Sequence, residues 1–254
     1  MAVTDEAILR IKDMILTGEL GPGDRLPPEK ELSERLGLSR SSMREAVKAL
    51  EVIRVLDVRR GDGTYVTSLE PRLLSEAISF VTDLHKDQAV LELFEVRRIL
   101  EPAAASLAAS RISSEAIEEL RAAVARASEH GSVQELVEHD VAFHGLIADA
   151  GGNGYLSTLL QSLSGHTTRA RIWRGLTQEN SVSRTLAEHS AIVDALEARD
   201  AMLAQTLTAA HIFGVEQWLR QWSHDNGPIP DFRDVIAAAP ALAHLPGNPG
   251  TSLD

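Results

Sequence analysis

Apolar residues recur at helical spacing near the start of the chain. Ile8, Ile11 and Ile15 repeat every three or four positions, which predicts an amphipathic first helix because residues at this spacing share one face. The Gly-Pro-Gly-Asp segment at 21–24 is rich in turn-forming residues and is predicted to end this helix. The pattern therefore indicates a helix followed by a tight turn.

Two further helices are predicted after this turn. Pro27 and Pro28 can open one of them because proline is tolerated in a first helical turn, and Gly37 can close it in the left-handed conformation. Ser39 then supplies an N-cap for the next helix. The inward stripe of that helix consists of Met43, Val47 and Leu50. The short turn at 37–39 suits two helices that cross steeply, as in a helix-turn-helix.

A β-hairpin is predicted after the third helix. Strand-forming residues from Val55 to Val66 flank a Gly-Asp-Gly turn at 61–63. A helix-turn-helix followed by such a wing is typical of DNA-binding proteins. The polar side chains predicted to face base edges, phosphates or the minor groove are Arg40, Ser41, Arg44, Lys48, Arg59 and Arg60.

The rest of the chain has a helical pattern, and no alternation of period two persists after Val66. Apolar residues at helical spacing occupy runs at 91–101, 115–127 and 186–207. Short breaks are predicted at Gly131, Gly151, Gly152 and Gly175. We expect six or seven antiparallel helices in a bundle. The predicted fold class is therefore mainly α, with an N-terminal winged helix-turn-helix followed by an all-α antiparallel helical bundle.

The length of the chain and its helix-breaking residues divide it into four predicted segments. At 254 residues it is long enough for two domains. We predict a DNA-binding domain at 1–68, a linker at 69–74, an all-α effector-binding and dimerisation domain at 75–225, and a proline-rich tail at 226–254. The tail is expected to be flexible or packed as loop, apart from a short turn near 231–238.

Composition narrows the classes of function. The net charge is −12, whereas a protein that binds nucleic acid without sequence specificity is expected to be basic. Residues 35–66 nevertheless contain seven Lys and Arg against four Asp and Glu, so the cationic footprint is local. The chain has no cysteine, which excludes disulfides and thiolate metal sites. Without a membrane-length apolar run or a secretory pattern at its start, the protein is expected to be cytoplasmic, with no membrane partner.

One group of residues has metal-ligating chemistry. Asp140 and His144 stand at i and i+4 on one helix face, and His189 and His211 belong to two later predicted helices. The four can converge from three helices, and nitrogen ligands with one carboxylate suit Zn, Mn, Ni or Fe. From the residues alone, a simple helix-surface contact stays open as the alternative. The other histidines are expected at the surface or as caps: His85, His130, His139, His166, His224 and His244. His139, about 100° round the helix from Asp140, is the weaker ligand candidate.

The winged unit resembles the GntR family of bacterial transcription regulators. The resemblance is carried by Leu-Pro-x-Glu-Lys-Glu-Leu at 26–32, Leu-Gly-Leu-Ser-Arg at 36–40, Arg-Glu-Ala at 44–46 and Arg-Arg-Gly-x-Gly-Thr-Tyr-Val at 59–66. In that family the second helix, the recognition helix and the wing tip contact an operator. The resemblance implies operator contacts by Lys30, Ser39, Arg40, Ser41, Arg44 and Gly61. Family members often have arginine in place of Lys30, whose ammonium lacks the guanidinium fork.

The helical part, over about 75–222, resembles the FCD effector domain of FadR-type members. The matching segments are 94–104, Asp-x-x-Phe-His at 140–144, Gly-Gly-Asn at 151–153, Glu-His-x-x-Ile at 188–192, 195–200 and His211. In metal-containing members the positions matching Asp140, His144, His189 and His211 bind the ion. The resemblance thus implies a divalent metal cofactor, Zn ahead of Ni, Mn or Fe. The acyl-CoA branch lacks these residues, so that ligand is not expected.

The resemblance also implies a carboxylate-binding residue. It points to Arg97 as an inward guanidinium that grips an effector acid, with a surface salt bridge to Glu101 as the alternative. A basic and aromatic cluster is expected at the cavity mouth: Arg169, Arg171, Trp173 and Arg174. Trp173 is a candidate for stacking on a sugar-like chain, with a buried or interface tryptophan as the alternative.

Together these features predict a ligand-responsive repressor and not an enzyme. The expected partners are a palindromic operator bound as a homodimer and a small organic acid, a sugar acid such as galactonate or gluconate ahead of lactate and dicarboxylates. Three alternatives stay open: an activator, a metal-dependent hydrolase in the helical domain, and an architectural DNA binder.

Overall fold

The computed structural model describes residues 3–70, 89–130, 133–178 and 180–227. The chain divides into two compact units, Met1–Ala77 and Ile78–Asp254. The predicted linker at 69–74 and the predicted tail at 226–254 lie mostly outside the described residues, so their predictions stand as made.

The first unit contains three helices and a two-stranded antiparallel sheet. Its elements are α1 (Val3–Leu16), α2 (Glu29–Leu36), α3 (Arg40–Val52), β1 (Leu56–Arg59) and β2 (Gly63–Val66). In the sheet Leu56 pairs with Val66 and Arg59 pairs with Gly63. This is the predicted winged helix-turn-helix, since α2 and α3 are joined by a three-residue turn and are followed closely by a hairpin.

The predicted caps at Gly37 and Ser39 are confirmed, whereas Pro27 and Pro28, predicted in the first turn of α2, both lie just before it. Pro28 is the N-cap of α2, and Gly37 ends this helix with φ at 69°, in the left-handed region that glycine adopts without strain. Ser39 caps α3, because its Oγ accepts a hydrogen bond from the Ser42 N–H at 3.1 Å. These caps fix where the recognition helix begins.

The core of the first unit joins all its elements. Ile11 from α1 is fully buried, and Leu56 and Val66 attach the hairpin to the helices. The predicted inward stripe of α3 is confirmed by the burial of Met43, Val47 and Leu50. Four apolar residues of α3, Met43, Ala46, Val47 and Leu50, lie in this core, so the polar residues on the opposite face of the helix are directed to solvent.

The tip of the hairpin contains two glycines, Gly61 and Gly63, whose backbone conformation and surroundings suit a residue without a side chain. Gly61 has φ at 78°, which other residues rarely adopt. At Gly63 an added Cβ would lie 2.5 Å from Nε of Arg25, so the end of that flexible side chain would have to move. The guanidinium of Arg25 donates to the carbonyl of Asp62, and the Asp62 N–H donates to Arg59 O at 3.1 Å. The turn is thus anchored to the chain segment before α2.

The second unit is an all-α bundle. Its described residues form six helices: α4 (Ala89–Arg111), α5 (Ser114–His130), α6 (Val133–Ala150), α7 (Gly154–Thr177), α8 (Ser181–Glu197) and α9 (Ala201–Asn226). The first of them, α4, packs against α6, α7, α8 and α9. Small residues on α4, including Ala105, Ala108 and Ala109, are fully buried and allow close approach of its neighbours. No helix in the described ranges is long and apolar enough to cross a membrane.

Two of the predicted helix boundaries in this unit were wrong. Gly175 lies inside α7, which continues to Thr177. Its φ is not positive, so it does not form the left-handed turn with which a glycine ends a helix. The run at 186–207 is two helices, since Arg199 adopts φ of 58° and Asp200 caps α9 by accepting from the Leu203 N–H at 2.9 Å. The predicted break at Gly151 and Gly152 is confirmed.

Candidate nucleic-acid interface and metal centre

The predicted DNA-contact residues form an exposed polar surface on the first unit. All of them are exposed: Lys30, Ser39, Arg40, Ser41, Arg44, Lys48, Arg59, Arg60 and Gly61. On α3, the side chain of Arg44 is 63% exposed and that of Arg40 is 61% exposed. Both therefore stand where a recognition helix presents donors to a DNA groove.

Weak ion pairs hold these arginines in place. Nε of Arg44 lies 3.3 Å from Glu29 Oε2 on α2, and Nη2 of Arg40 lies 4.0 Å from Glu34. Exposed pairs of this kind contribute little to stability, so a phosphate or a base edge can replace either carboxylate. On the wing, the guanidinium of Arg59 lies 4.3 Å from the ring centre of Tyr65.

The four predicted metal-ligating residues come together inside the second unit. Asp140 and His144 lie one turn apart on α6, His189 comes from α8 and His211 from α9. All four are buried, and each contributes one ligand atom to a group that lies within 4.8 Å. The helix-surface contact that the residues alone left open is therefore not found.

The ligand atoms face one point. Oδ1 of Asp140 lies 3.7 Å from Nε2 of His144, 3.4 Å from Nε2 of His189 and 3.7 Å from Nε2 of His211. Nε2 of His211 lies 3.2 Å from that of His144 and 3.4 Å from that of His189. Zinc bonds of about 2.0–2.1 Å put neighbouring atoms of a tetrahedral site about 3.3 Å apart. The spacing and the donor set therefore fit a divalent transition metal.

Carboxylates hold two of the imidazoles from behind. Nδ1 of His144 lies 2.8 Å from Glu101 Oε2, and Nδ1 of His211 lies 2.7 Å from Glu188 Oε2. The contact of His211 with Glu188 is a hydrogen bond, which fixes the proton on Nδ1 and directs Nε2 forward as is common in metal sites, whereas the contact of His144 with Glu101 is an ion pair. Sequence reasoning did not assign these roles to Glu101 and Glu188.

The third imidazole has a different support. Nδ1 of His189 lies 3.0 Å from Nε2 of His139, and the ring of Phe143 stacks on His189 at 4.0 Å with an interplanar angle of 8°. His139 is half-buried and is not one of the four converging residues, although it was expected at the surface or as a cap. That expectation was wrong, because the side chain of His189 from α8 lies against the face of α6 that carries His139.

The remaining histidines take no part in this cluster as far as the structure describes them. His224 is exposed, as expected, and His166 is half-buried on α7. His85, His244 and the side chain of His130 lie outside the described residues.

Arginine neutralises the other oxygen of Asp140. Arg171, buried on α7, donates to Asp140 Oδ2 and to the carbonyl of Ser164, the latter at 2.7 Å. Burial by itself raises the pKa of Asp140, but Arg171 and His144 hold that pKa well below its usual range. Asp140 is therefore an anion available to a cation.

The histidines differ in their affinity for protons. Burial lowers the pKa of His144, but Glu101 and Asp140 outweigh it and raise the pKa to about 9. Burial dominates for His189 and lowers its pKa to about 3 despite Asp140. At neutral pH the metal-free protein thus has both ring nitrogens of His144 protonated, so this imidazole is charged. His189 is neutral and has a free nitrogen lone pair to bind an ion.

Arg97 faces inward as predicted, but it is already paired. It is 1% exposed, its Nε bonds to Glu101 Oε1 at 2.5 Å, and its Nη1 donates to Thr167 Oγ1 at 3.2 Å. The pair with Glu101 exists, yet it is buried and not at the surface as the alternative held. Arg97 therefore supports the carboxylate behind His144, and its contact with an effector stays a prediction.

A small cavity of about 30 Å³ adjoins the cluster. Its polar lining consists of Asp140, His211, Arg171, Arg174, Ser181 and Thr185, and its apolar lining of Leu136, Val137 and Val215. Oγ of Ser181 is buried without a hydrogen-bond partner among the described residues. Trp173 does not line this cavity; its indole packs edge-on against Trp222 at 5.5 Å. Sequence reasoning missed Ser181 and Thr185, for which no motif gave a signal.

Comparisons with known families and proteins match both units. Residues 3–66 match the family described as "Bacterial regulatory proteins, gntR family", and residues 92–214 match the FCD domain. The HTH-type transcriptional regulator LutR of Bacillus subtilis is 35% identical over 84% of this chain and 99% of its own length. The galactonate operon transcriptional repressor of Escherichia coli is 28% identical over 80% of this chain and 90% of its own. Among solved structures, a GntR protein of Streptococcus agalactiae is similar with a TM-score of 0.62 and 29% identity, over 85% of this chain and 99% of that one.

Proposed function

This chain belongs to the GntR family of bacterial transcription regulators and carries an FCD domain, and on that premise we propose that it is an acid-responsive repressor. It binds a palindromic operator as a homodimer and releases the operator when a small organic acid occupies the helical unit. Two recognition helices are needed because a single module buries too little surface for tight selective binding.

The observation that carries the sensing role is the buried group of three imidazoles and one carboxylate. Asp140, His144, His189 and His211 would hold a divalent ion, with Zn the first candidate and Ni, Mn or Fe the alternatives. When bound, such an ion supplies a Lewis acid with coordination positions left over for an acid ligand. These residues themselves bind and orient the ion.

The adjoining cavity supports an acid bearing hydroxyl groups as the effector. Arg174 lines the cavity and is buried, and a guanidinium can grip a carboxylate with two parallel hydrogen bonds. Ser181 and Thr185 present hydroxyls beside it, and Ser181 Oγ has no partner among the described residues. This chemistry favours a sugar acid such as galactonate or gluconate over lactate or a dicarboxylate. One relative is a galactonate operon repressor, which supports the same choice.

The size of the cavity links binding to a structural response. Its volume of about 30 Å³ corresponds to the space of about one water molecule, so a sugar acid must displace wall side chains. Arg97 and Trp173 stay proposed effector contacts. Neither residue lines the cavity, so each would change its packing to reach an acid held there.

An acid effector is expected to weaken operator binding by about 5–150-fold, which corresponds to a coupling of about 1–3 kcal/mol. Gel-shift titrations of metal-loaded protein with galactonate, gluconate, lactate and a dicarboxylate measure this effect. The Arg174→Gln variant should keep its operator affinity and lose the acid response. Arg121→Gln, which removes an exposed arginine of α5, should respond like the wild type. Operator affinity that is indifferent to every acid and metal would contradict the sensing role.

Turnover by the helical unit has little support in the cavity. The only carboxylate among its lining residues is Asp140, which is itself a candidate metal ligand. A metal-dependent hydrolase needs a separate general base within reach of the attacking water. We therefore propose that the acid is bound and released unchanged.

Repression and activation are distinguished by in vitro transcription with and without the acid.

Metal binding is expected to expel a proton from His144. The pKa of about 9 means that this imidazole is charged at pH 7, whereas a ligand must be neutral. Metal affinity should therefore rise as the pH increases from 7 to 9 and become less dependent on pH above that value. Calorimetry at pH 7 in buffers of different ionisation enthalpy counts the protons. Glu101→Gln removes one cause of the raised pKa and should reduce the number released; an unchanged number would contradict this account.

A further inference from the structure

Helix α6 carries two residue pairs at the same spacing, side by side. Asp140 and His144 point to the centre of the predicted metal site, while His139 and Phe143, one residue earlier in each case, both contact His189. The first pair supplies ligands, and the second pair touches a ligand that belongs to α8. Helix α6 thus contributes two candidate ligands of its own and also contacts a third, His189, which belongs to α8.

The imidazole of His189 is held on three sides. Its Nδ1 lies 3.0 Å from Nε2 of His139, its face lies on Phe143, and its Nε2 lies 3.4 Å from Oδ1 of Asp140. The residue is completely buried, so water does not satisfy its ring nitrogens from the surface. The orientation of this ligand is therefore determined by α6.

We propose that His139 is a positioning residue of the metal centre, an inference that rests on the proposed metal site. For His189 to bind an ion through Nε2, its proton must be on Nδ1, and Nε2 of His139 is the acceptor within reach. This hydrogen bond selects the tautomer whose Nε2 lone pair faces the ion. His139 acts in the place that a carboxylate takes behind the other two imidazoles.

A neutral acceptor at this position has a chemical consequence. Glu101 and Glu188 each bring a negative charge behind an imidazole, whereas a neutral histidine brings none. His189 is therefore the ligand whose orientation is fixed without further charge being added to the buried centre. Replacing His139 should therefore lower metal affinity without removing a charge from the surroundings of the centre, whereas replacing Glu101 or Glu188 would remove one.

The test compares zinc affinity in full-length variants by competition with a chromophoric chelator. His139→Leu keeps bulk and removes the acceptor, and is expected to weaken zinc binding about 10–100-fold. His139→Gln provides a carbonyl acceptor and should recover most of that loss. The matched control, His166→Leu, alters a half-buried histidine outside the cluster and should bind zinc within about twofold of the wild type. Unfolding temperatures of the metal-free proteins report any purely structural effect.

Each outcome decides the proposal. Zinc affinity of His139→Leu within twofold of the wild type overturns it. Equal weakening in the leucine and glutamine variants overturns the hydrogen-bond role and assigns the effect to side-chain shape. A wild-type protein that binds no zinc, cobalt, nickel or manganese refutes the metal site itself and the role of His139 with it. That result is read on the wild type alone and is therefore distinct from a failure of the variants.

Discussion

Replacement of Arg44 by alanine is expected to abolish selective operator binding while leaving the protein folded. A bidentate contact from an arginine to a base contributes about 1–3 kcal/mol, and a dimer contains two such contacts. The expected loss is therefore about 2–6 kcal/mol, or about 30-fold or more in affinity. The fold should persist because the side chain is 63% exposed and its partner Glu29 is also at the surface. Fluorescence anisotropy with operator and scrambled duplexes measures both affinity and selectivity.

Arg10→Ala is the matched control for this substitution. Arg10 lies on α1, is 55% exposed and also has an exposed glutamate partner, Glu6, at 3.5 Å. It is not among the predicted DNA contacts, so its removal should change operator affinity by only a few fold. Retained selectivity in Arg44→Ala, or an equal loss in both variants, would refute the proposed role of α3.

Removal of the proposed metal ion is expected to destabilise the helical unit strongly. An ion present at about 1,000 times its Kd stabilises the folded state by about 4 kcal/mol. For a protein of this size that corresponds to about 8–16 °C in Tm. Differential scanning calorimetry before and after treatment with a chelator measures the shift, and metal analysis of the protein identifies the ion.

His189→Gln is the most informative ligand variant. The imidazole of His189 is supported by His139, whereas the substitution of His144 would remove one of the two charged partners of Glu101, and that of His211 would remove a partner of Glu188. The variant should therefore lose high-affinity metal binding and the chelator-dependent shift in Tm. His166→Gln should retain both. A chelator-dependent shift of the same size in His189→Gln would argue against the proposed centre.

The sequence was sufficient to predict those features that depend on local chemistry. The left-handed glycine Gly37 ends α2, and a serine cap and an apolar stripe determine α3, so Gly37, Ser39 and Met43 could be assigned from spacing alone. The i and i+4 spacing of Asp140 and His144 likewise placed two candidate ligands on one face. Their convergence with α8 and α9 was expected chiefly from family resemblance.

Features that depend on packing between helices were not predictable in this way. The proposed role of His139 depends on its contact with His189 from α8, whereas an argument from one helix alone treats the face of α6 that carries His139 as exposed to solvent. Gly175 stays helical because nothing at this position demands a turn, and a glycine alone does not end a helix. Arg97 and Glu101 share a buried pair, although their spacing is equally typical of an exposed one.

The guanidinium of Arg171 has one more consequence for the centre. Because it engages Oδ2 of Asp140, only Oδ1 of this carboxylate faces the three imidazoles. The aspartate would thereby offer a bound ion one oxygen, which with the three imidazoles makes four donor atoms. An ion that accepts five or six ligands would take the remainder from outside the polypeptide, so the arginine that orients this carboxylate would also leave room for an external ligand.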